Sequence, residues 1–207
     1  PFLCNPIEWG ATLVVHSTTK FLSGNGTSVG GVVIDSGKFD WSKDGKYPAL
    51  SGPEAGYHGL KFHETFGHLA YTIHGHAVGL RDLGPSQAPL NAFLTMLGIE
   101  TLHLRMERHC ANALTVATHL ESHPAVAWVS YAGLESSKYA AAAKKYLPKG
   151  AGAVFTFGLK GGYDAGVKLV ESVKLFSHLA NIGDSRSLII HPASTTPDST
   201  SRMSPSR

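Results

Sequence analysis

The chain has 207 residues, of which 43% are hydrophobic and 16% charged. That apolar share suits one large folded domain or two small ones, and the charge content is too low for a disordered chain. Eighteen basic and 15 acidic residues leave a formal net charge of +3, and no run of Lys and Arg concentrates it, which argues against a dedicated nucleic-acid binder.

Thr12-Leu13-Val14-Val15 is a short apolar, β-branched run followed by the polar turn His16-Ser17-Thr18-Thr19-Lys20. It reads as a buried strand ending in a loop. A glycine cluster (Gly24, Gly26, Gly30, Gly31) leads to Val32-Val33-Ile34, a second buried strand. Residues 36–58 mix Gly, Pro, Lys and Asp and read as a surface excursion. From Pro89 to about Ser122 the pattern is helical, with Leu90, Phe93, Leu94 and Leu97 on one stripe and Met106, Cys110, Ala113, Leu114, Ala117 and Leu120 on the next. Gly98 interrupts the stripes, so a kink or domain junction is expected near it. Val126–Tyr131 and Val154–Leu159 read as strands, with a short helix between them over Ser137–Leu147. Asp164 is a candidate N-cap for a further helix, and Ser187–Ile190 a last strand. The Ser/Thr/Pro-rich end should be disordered. Alternation of strands and helices in the first half implies α/β layers, and the second half a smaller α+β unit.

Two cysteines, Cys4 and Cys110, cannot build a disulfide framework or a Cys-rich zinc site, so a reducing, cytoplasmic setting is expected. No apolar stretch approaches the roughly 18–20 residues of a membrane span. Residues 1–6 lack the pattern of a signal peptide. A start at Pro1 without Met is expected of part of a longer chain.

The chemistry centres on the turn after the first strand. In open α/β sheets, functional groups gather at the carboxyl ends of strands. Ser17 and Thr19 offer hydroxyls at alternate positions, and Lys20 adjoins them. Hydroxyls and turn N–H groups can hold a phosphate, and a lysine in a partly dry pocket can attack a carbonyl. Together they suit an aldehyde cofactor with a phosphate handle, pyridoxal phosphate, joined to the lysine. Spacing alone leaves this open: Ser-x-Thr-Lys is short, and a solvated turn with an exposed lysine is the commoner reading. Gly24 to Gly30 misses the dinucleotide fingerprint by one residue and lacks a P-loop ending. His63-Glu64 with His68 is spaced i, i+5, so no metal site is expected.

The string Gly10-Ala11-Thr12-Leu13-Val14-Val15-His16-Ser17-Thr18-Thr19-Lys20-Phe21-Leu22-Ser23-Gly24-Asn25-Gly26, with Val29-Gly30-Gly31 after it, closely resembles the cofactor-lysine segment of the Cys/Met-metabolism family of pyridoxal-phosphate enzymes. Leu97–His109 resembles the family's domain-linking helix, and Ala180–Asp184 with Ser187–Ser194 its late substrate-side segment. The insertion around Tyr57–Lys61 and the phrase Leu179–Asp184 are similar to the O-acetylhomoserine sulfhydrylase branch. The resemblance implies an α/β fold type I PLP-dependent transferase, represented by the C-terminal part of the large domain and most of the small α+β C-terminal domain. It places residues 1–98 in the PLP-binding large domain, 99–196 in the small domain and 197–207 in a disordered tail. It implies a homotetramer without nucleic-acid or membrane partners. The implied reaction joins sulfide to O-acetyl-L-homoserine, giving homocysteine and acetate, with O-acetylserine a further substrate, in methionine and cysteine biosynthesis. Lys20 would carry the cofactor and move protons, Ser17 and Thr19 would hold its phosphate, and Asn181 would lie near the substrate carboxylate. A cystathionine γ-synthase or γ-lyase of the same family, or a non-catalytic truncated subunit, are the alternatives.

The family's aspartate for the pyridine nitrogen, its ring-stacking aromatic and its Tyr-x-Arg pair would precede Pro1. Pro197 stands where the family usually has His, and Asp198–Arg207 replaces the strand bearing the carboxylate-binding arginine. Without these groups the fragment alone is expected to show little or no turnover.

Overall fold

A computed structural model describes residues 2–195. The expected disordered tail at 197–207 lies outside the described residues. These divide into two compact units. One comprises Asn5–Thr18 and Val29–Phe93; the other takes in the N-terminus through Cys4, Thr19–Ser28 and the described chain from Leu94 onward.

In the first unit, β1 (Leu13–Ser17) and β2 (Gly31–Asp35) form a two-stranded antiparallel ribbon, with Val15 opposite Val33 and Ser17 opposite Gly31. β-branched residues favour this pleated geometry. The strands are not buried as the sequence suggests: Val15 is 71% exposed, and Val32, Val33 and Ile34 are also exposed. Apolar residues on both faces suit a strand pair covered on both sides, and no described element of the unit covers these valines. Residues 36–58 correct the reading in the other direction. Trp41 and Leu50 are buried with Phe62 and Ala70, and Phe39, Tyr47, Tyr57 and Tyr71 pack around them. The Trp41 and Tyr71 rings stack 5.2 Å apart. Three short helices carry this core: α1 (Pro48–Ser51), α2 (Phe62–Phe66) and α3 (Ala70–His74). Scattered aromatics thus build a small core where Gly and Pro suggest a surface loop, because each ring buries a large area.

α4 (Pro89–Glu100) and α5 (Leu102–Ser122) bear out the long helical pattern. The break near Gly98 falls at Thr101, three residues further on. Leu90, Phe93 and Leu97 are exposed, and the buried positions of α4 are Thr95 and Gly98. α5 buries one stripe, Leu102, Met106, Cys110, Ala113 and Ala117. Its first half packs with Leu22, Phe2, Leu3 and Phe21, and its second half with Tyr131, Leu134 and Phe155. β3 (Val126–Ser130), α6 (Ala140–Tyr146), β4 (Thr156–Leu159) and α7 (Gly162–Ser172) follow, with β3 and β4 antiparallel. Gly161, not Asp164, caps α7; Asp164 lies in its first turn, where a carboxylate still favours the helix dipole. β5 (Ser177–His178) and β6 (Leu188–Ile189) pair in parallel, and α8 (Pro192–Thr195) closes the described chain.

Candidate active site

Ser17, the last residue of β1, is exposed. Thr18 follows, only 3% exposed; its N–H donates to Gly30 O at 2.9 Å, while its Oγ1 has no partner. The chain enters the second unit at Thr19. The turn Thr18–Leu22 leaves helical geometry at Lys20 (φ −92°, ψ −128°). Ser23 Oγ donates to Thr19 O at 3.2 Å, and the Gly24 N–H donates to Lys20 O at 2.9 Å. Phe21 and Leu22 then drop their side chains into the core under α5. The apolar pair Phe21-Leu22 and the bonds at Ser23 and Gly24 therefore anchor the turn, leaving Lys20 beside its anchors.

Lys20 is half-buried, and its Nζ donates to Asn181 Oδ1 at 2.7 Å. Asn181 lies 161 residues further along the chain. This amine is paired with a neutral amide oxygen and not locked to a carboxylate. Asn181 is held by its own loop. Gly183 adopts φ +82°, and a Cβ there would lie 2.5 Å from Phe21 N and 2.9 Å from the Lys20 carbonyl carbon, so the two backbones meet where only glycine fits. The Ser185 N–H donates to Gly24 O at 2.9 Å.

Asp184, 4% exposed, anchors the same loop. It accepts from the Arg186 N–H and Nε through Oδ1 and from Nη2 through Oδ2, at 2.9, 3.1 and 2.9 Å. The Arg186 guanidinium, with this backbone N–H, holds the Asp184 carboxyl below the usual carboxylate range. On the other flank, His109 meets Phe21 edge-on at 5.8 Å. Burial first, then the Arg105 charge, pushes its imidazole below the usual value of 6.5, with Asp184 opposing. A pocket of about 260 Å³ lies beside the turn, lined among others by Ser23, Asn25, Thr101, Arg105 and Ser185; Lys20 does not line it.

Lys20 and Asn181, far apart in sequence, are thus joined by a hydrogen bond within one unit. Ser17 belongs to the other unit and adjoins Lys20 through the chain. Sequence reasoning passes over Thr18, Arg105 and Asp184. All three sit in the family-like segments, but no spacing rule marks them. Among the described residues, no three His, Cys, Asp or Glu side chains cluster as a metal site, and no helix is long and apolar enough to cross a membrane.

A turn that presents a half-buried amine to a neutral partner, with hydroxyls at neighbouring positions, has the donor set of a lysine-linked phosphate cofactor. The sequence profile of the Cys/Met metabolism PLP-dependent enzymes matches residues 1–204. The chain belongs to this family. It is 53% identical over 196 residues to the homocysteine synthase of Schizosaccharomyces pombe, covering 94% of this chain and 46% of that one. It is 50% identical over 205 residues to the O-acetyl-L-homoserine sulfhydrylase of Leptospira meyeri, covering 95% and 46%. A crystal structure from Campylobacter jejuni, assigned to O-acetylhomoserine (thiol)-lyase and holding a pyridoxyl-lysine monophosphate, superposes with a TM-score of 0.88 at 41% identity, covering 95% of this chain and 47% of that one. The fold is that of α/β fold type I PLP-dependent transferases. The chain spans about half the length of the curated relatives it matches.

Proposed function

We propose that Lys20 carries pyridoxal phosphate in an O-acetylhomoserine sulfhydrylase of the γ-replacement type. The observation that carries this reading is the 2.7 Å hydrogen bond from Lys20 Nζ to Asn181 Oδ1, with the turn held by its neighbours. Residues 1–98 serve as the C-terminal part of the cofactor-binding large domain and 99–196 as the small domain.

The residues fit the cofactor by the chemistry of their donors. The Ser17 and Thr19 hydroxyls would hold its phosphate, and Lys20 would carry it. When bound, pyridoxal phosphate supplies an electron sink for bond changes along the substrate chain. Lys20 Nζ moves a proton at the substrate Cα and then at Cβ, which requires an amine held close yet free of a carboxylate. Asn181 orients that amine through Oδ1 and leaves its Nδ2 as a donor for the substrate carboxylate. The net reaction joins sulfide to O-acetyl-L-homoserine, breaks the Cγ–oxygen bond and releases acetate and homocysteine. The working form is a cytoplasmic homotetramer of the full-length protein, acting on small molecules.

The test is to express the chain with pyridoxal phosphate beside the S. pombe relative and measure homocysteine formed with sulfide and cystathionine formed with cysteine. The expected result is homocysteine as the main product, as the name of the S. pombe relative implies for that protein. Cystathionine as the main product instead would overturn the sulfhydrylase reading in favour of the γ-synthase alternative.

A further inference from the structure

Arg105 is a cation with no carboxylate paired to it among the described residues. It rises from α5 and spends its guanidinium on main-chain oxygens. Nη1 donates to Phe21 O at 2.8 Å, and Nη2 donates to Gly98 O at 2.6 Å and to Leu22 O at 3.4 Å. Nε donates to Thr101 Oγ1 at 3.1 Å. Two of these carbonyls belong to the residues directly after Lys20. A third belongs to the last turn of α4, where carbonyls lack helical partners and the helix dipole favours a cation. The guanidinium therefore bridges the α4–α5 junction to the backbone that carries Lys20. Gly98 makes the approach possible: a Cβ there would lie 2.4 Å from both Leu22 O and Ser23 O.

A lysine Nζ sits at the end of four rotatable carbons, so its position is no better defined than its backbone. On one flank the Lys20–Phe21 backbone rests against Gly183. On the other the Phe21 and Leu22 carbonyls are tied by a planar, always-charged fork, which orders several acceptors at once; a lysine at position 105 would supply only a point charge. We propose that Arg105 is a positioning residue for Lys20: it fixes the segment after the lysine so that Nζ stays within reach of Asn181 and of the carbonyl it attacks. The inference rests on the assignment of Lys20 above, and it adds a second residue to that site. The competing role is a plain cap on the α4–α5 junction, which would affect overall stability only.

The test compares the full chain with Arg105→Lys, Arg105→Ala and the exposed control Arg108→Ala. Each is incubated with pyridoxal phosphate at several concentrations, trapped with borohydride over time and mapped for the tag on Lys20. Amide hydrogen exchange at residues 21–24 is followed on the same samples without cofactor. The expected result is faster exchange at 21–24 in both Arg105 variants. The maximal trapping rate at Lys20 should fall about tenfold, the scale of losing one charge-assisted hydrogen bond, with the half-saturating cofactor concentration unchanged. Arg108→Ala should match the wild type in all three. A lowered melting temperature with wild-type exchange and trapping overturns the proposal in favour of the cap. If Arg105→Ala does not fold, Arg105→Lys decides. A wild-type chain that takes no tag at Lys20 sinks the cofactor assignment instead, and the exchange comparison alone then decides whether Arg105 holds the segment.

Discussion

Two titratable side chains flank the Lys20 turn with their ionisation shifted in the folded state, and both act in the same direction on acid stability. His109 is depressed by burial and by the Arg105 charge. Between its folded value and the usual 6.5 the unfolded chain binds more protons than the folded one, so stability is full above about 6.5 and falls as pH drops through that window. Asp184 is depressed by its hydrogen bonds from Arg186. Its contribution is present above the ordinary carboxylate value and is lost as pH falls below it. The thermal midpoint should therefore decline in two steps on acidification, one below about 6.5 and one in the carboxylate range. His109→Gln should shrink the first step, to which His16, also depressed by burial, contributes as well, and leave the second; an unchanged first step in differential scanning fluorimetry would contradict the assignment. None of this is legible in the sequence. A histidine in a run such as Leu102–Cys110 looks like any of the 12 in the chain, and its shift exists only because Phe21 and Arg105 enclose it.

At the scale of elements, Gly98 separates what the sequence shows from what it hides. A glycine inside a helical pattern suggests a kink, yet the helix runs on to Glu100 and Gly98 is buried against the Leu22–Ser23 backbone. Gly98→Ala should gain up to about 1 kcal/mol of helix propensity. Against that stands overpacking against main-chain atoms that cannot swing aside, typically about 1–3 kcal/mol. The net expectation is a loss of stability, read as a lower urea midpoint with an unchanged slope; a gain would show that the close approach is absent. The long helices follow from periodicity, because a stripe such as Met106, Cys110, Ala113 and Ala117 repeats every three or four residues, while β3 and β4 follow from strand-forming residues and the helix between them from its Ala, Lys and Tyr content. Periodicity fails where burial depends on distant partners. It misses the aromatic core around Trp41 and Phe62, and it assigns burial to the β1–β2 valines, which no described element of their unit covers.

For the molecule as a whole, the family membership lies in long phrases around Lys20, Arg105 and Asp184, and it extends over residues 1–204. The candidate site is legible only in part. Ser17, Thr19 and Lys20 are adjacent in the sequence, and their residue types alone suggest a phosphate and a carbonyl. The Lys20–Asn181 bond and the Arg105 bridge join segments 161 and 84 residues apart, which no local pattern encodes. The central claim is that one amine, at Lys20, takes up the cofactor. It is tested most directly by adding pyridoxal phosphate to the purified chain, recording the visible absorption band, reducing with borohydride and sequencing the tagged peptide. The expected result is a yellow protein with the tag on Lys20. A tag on any other lysine, or none, would contradict it.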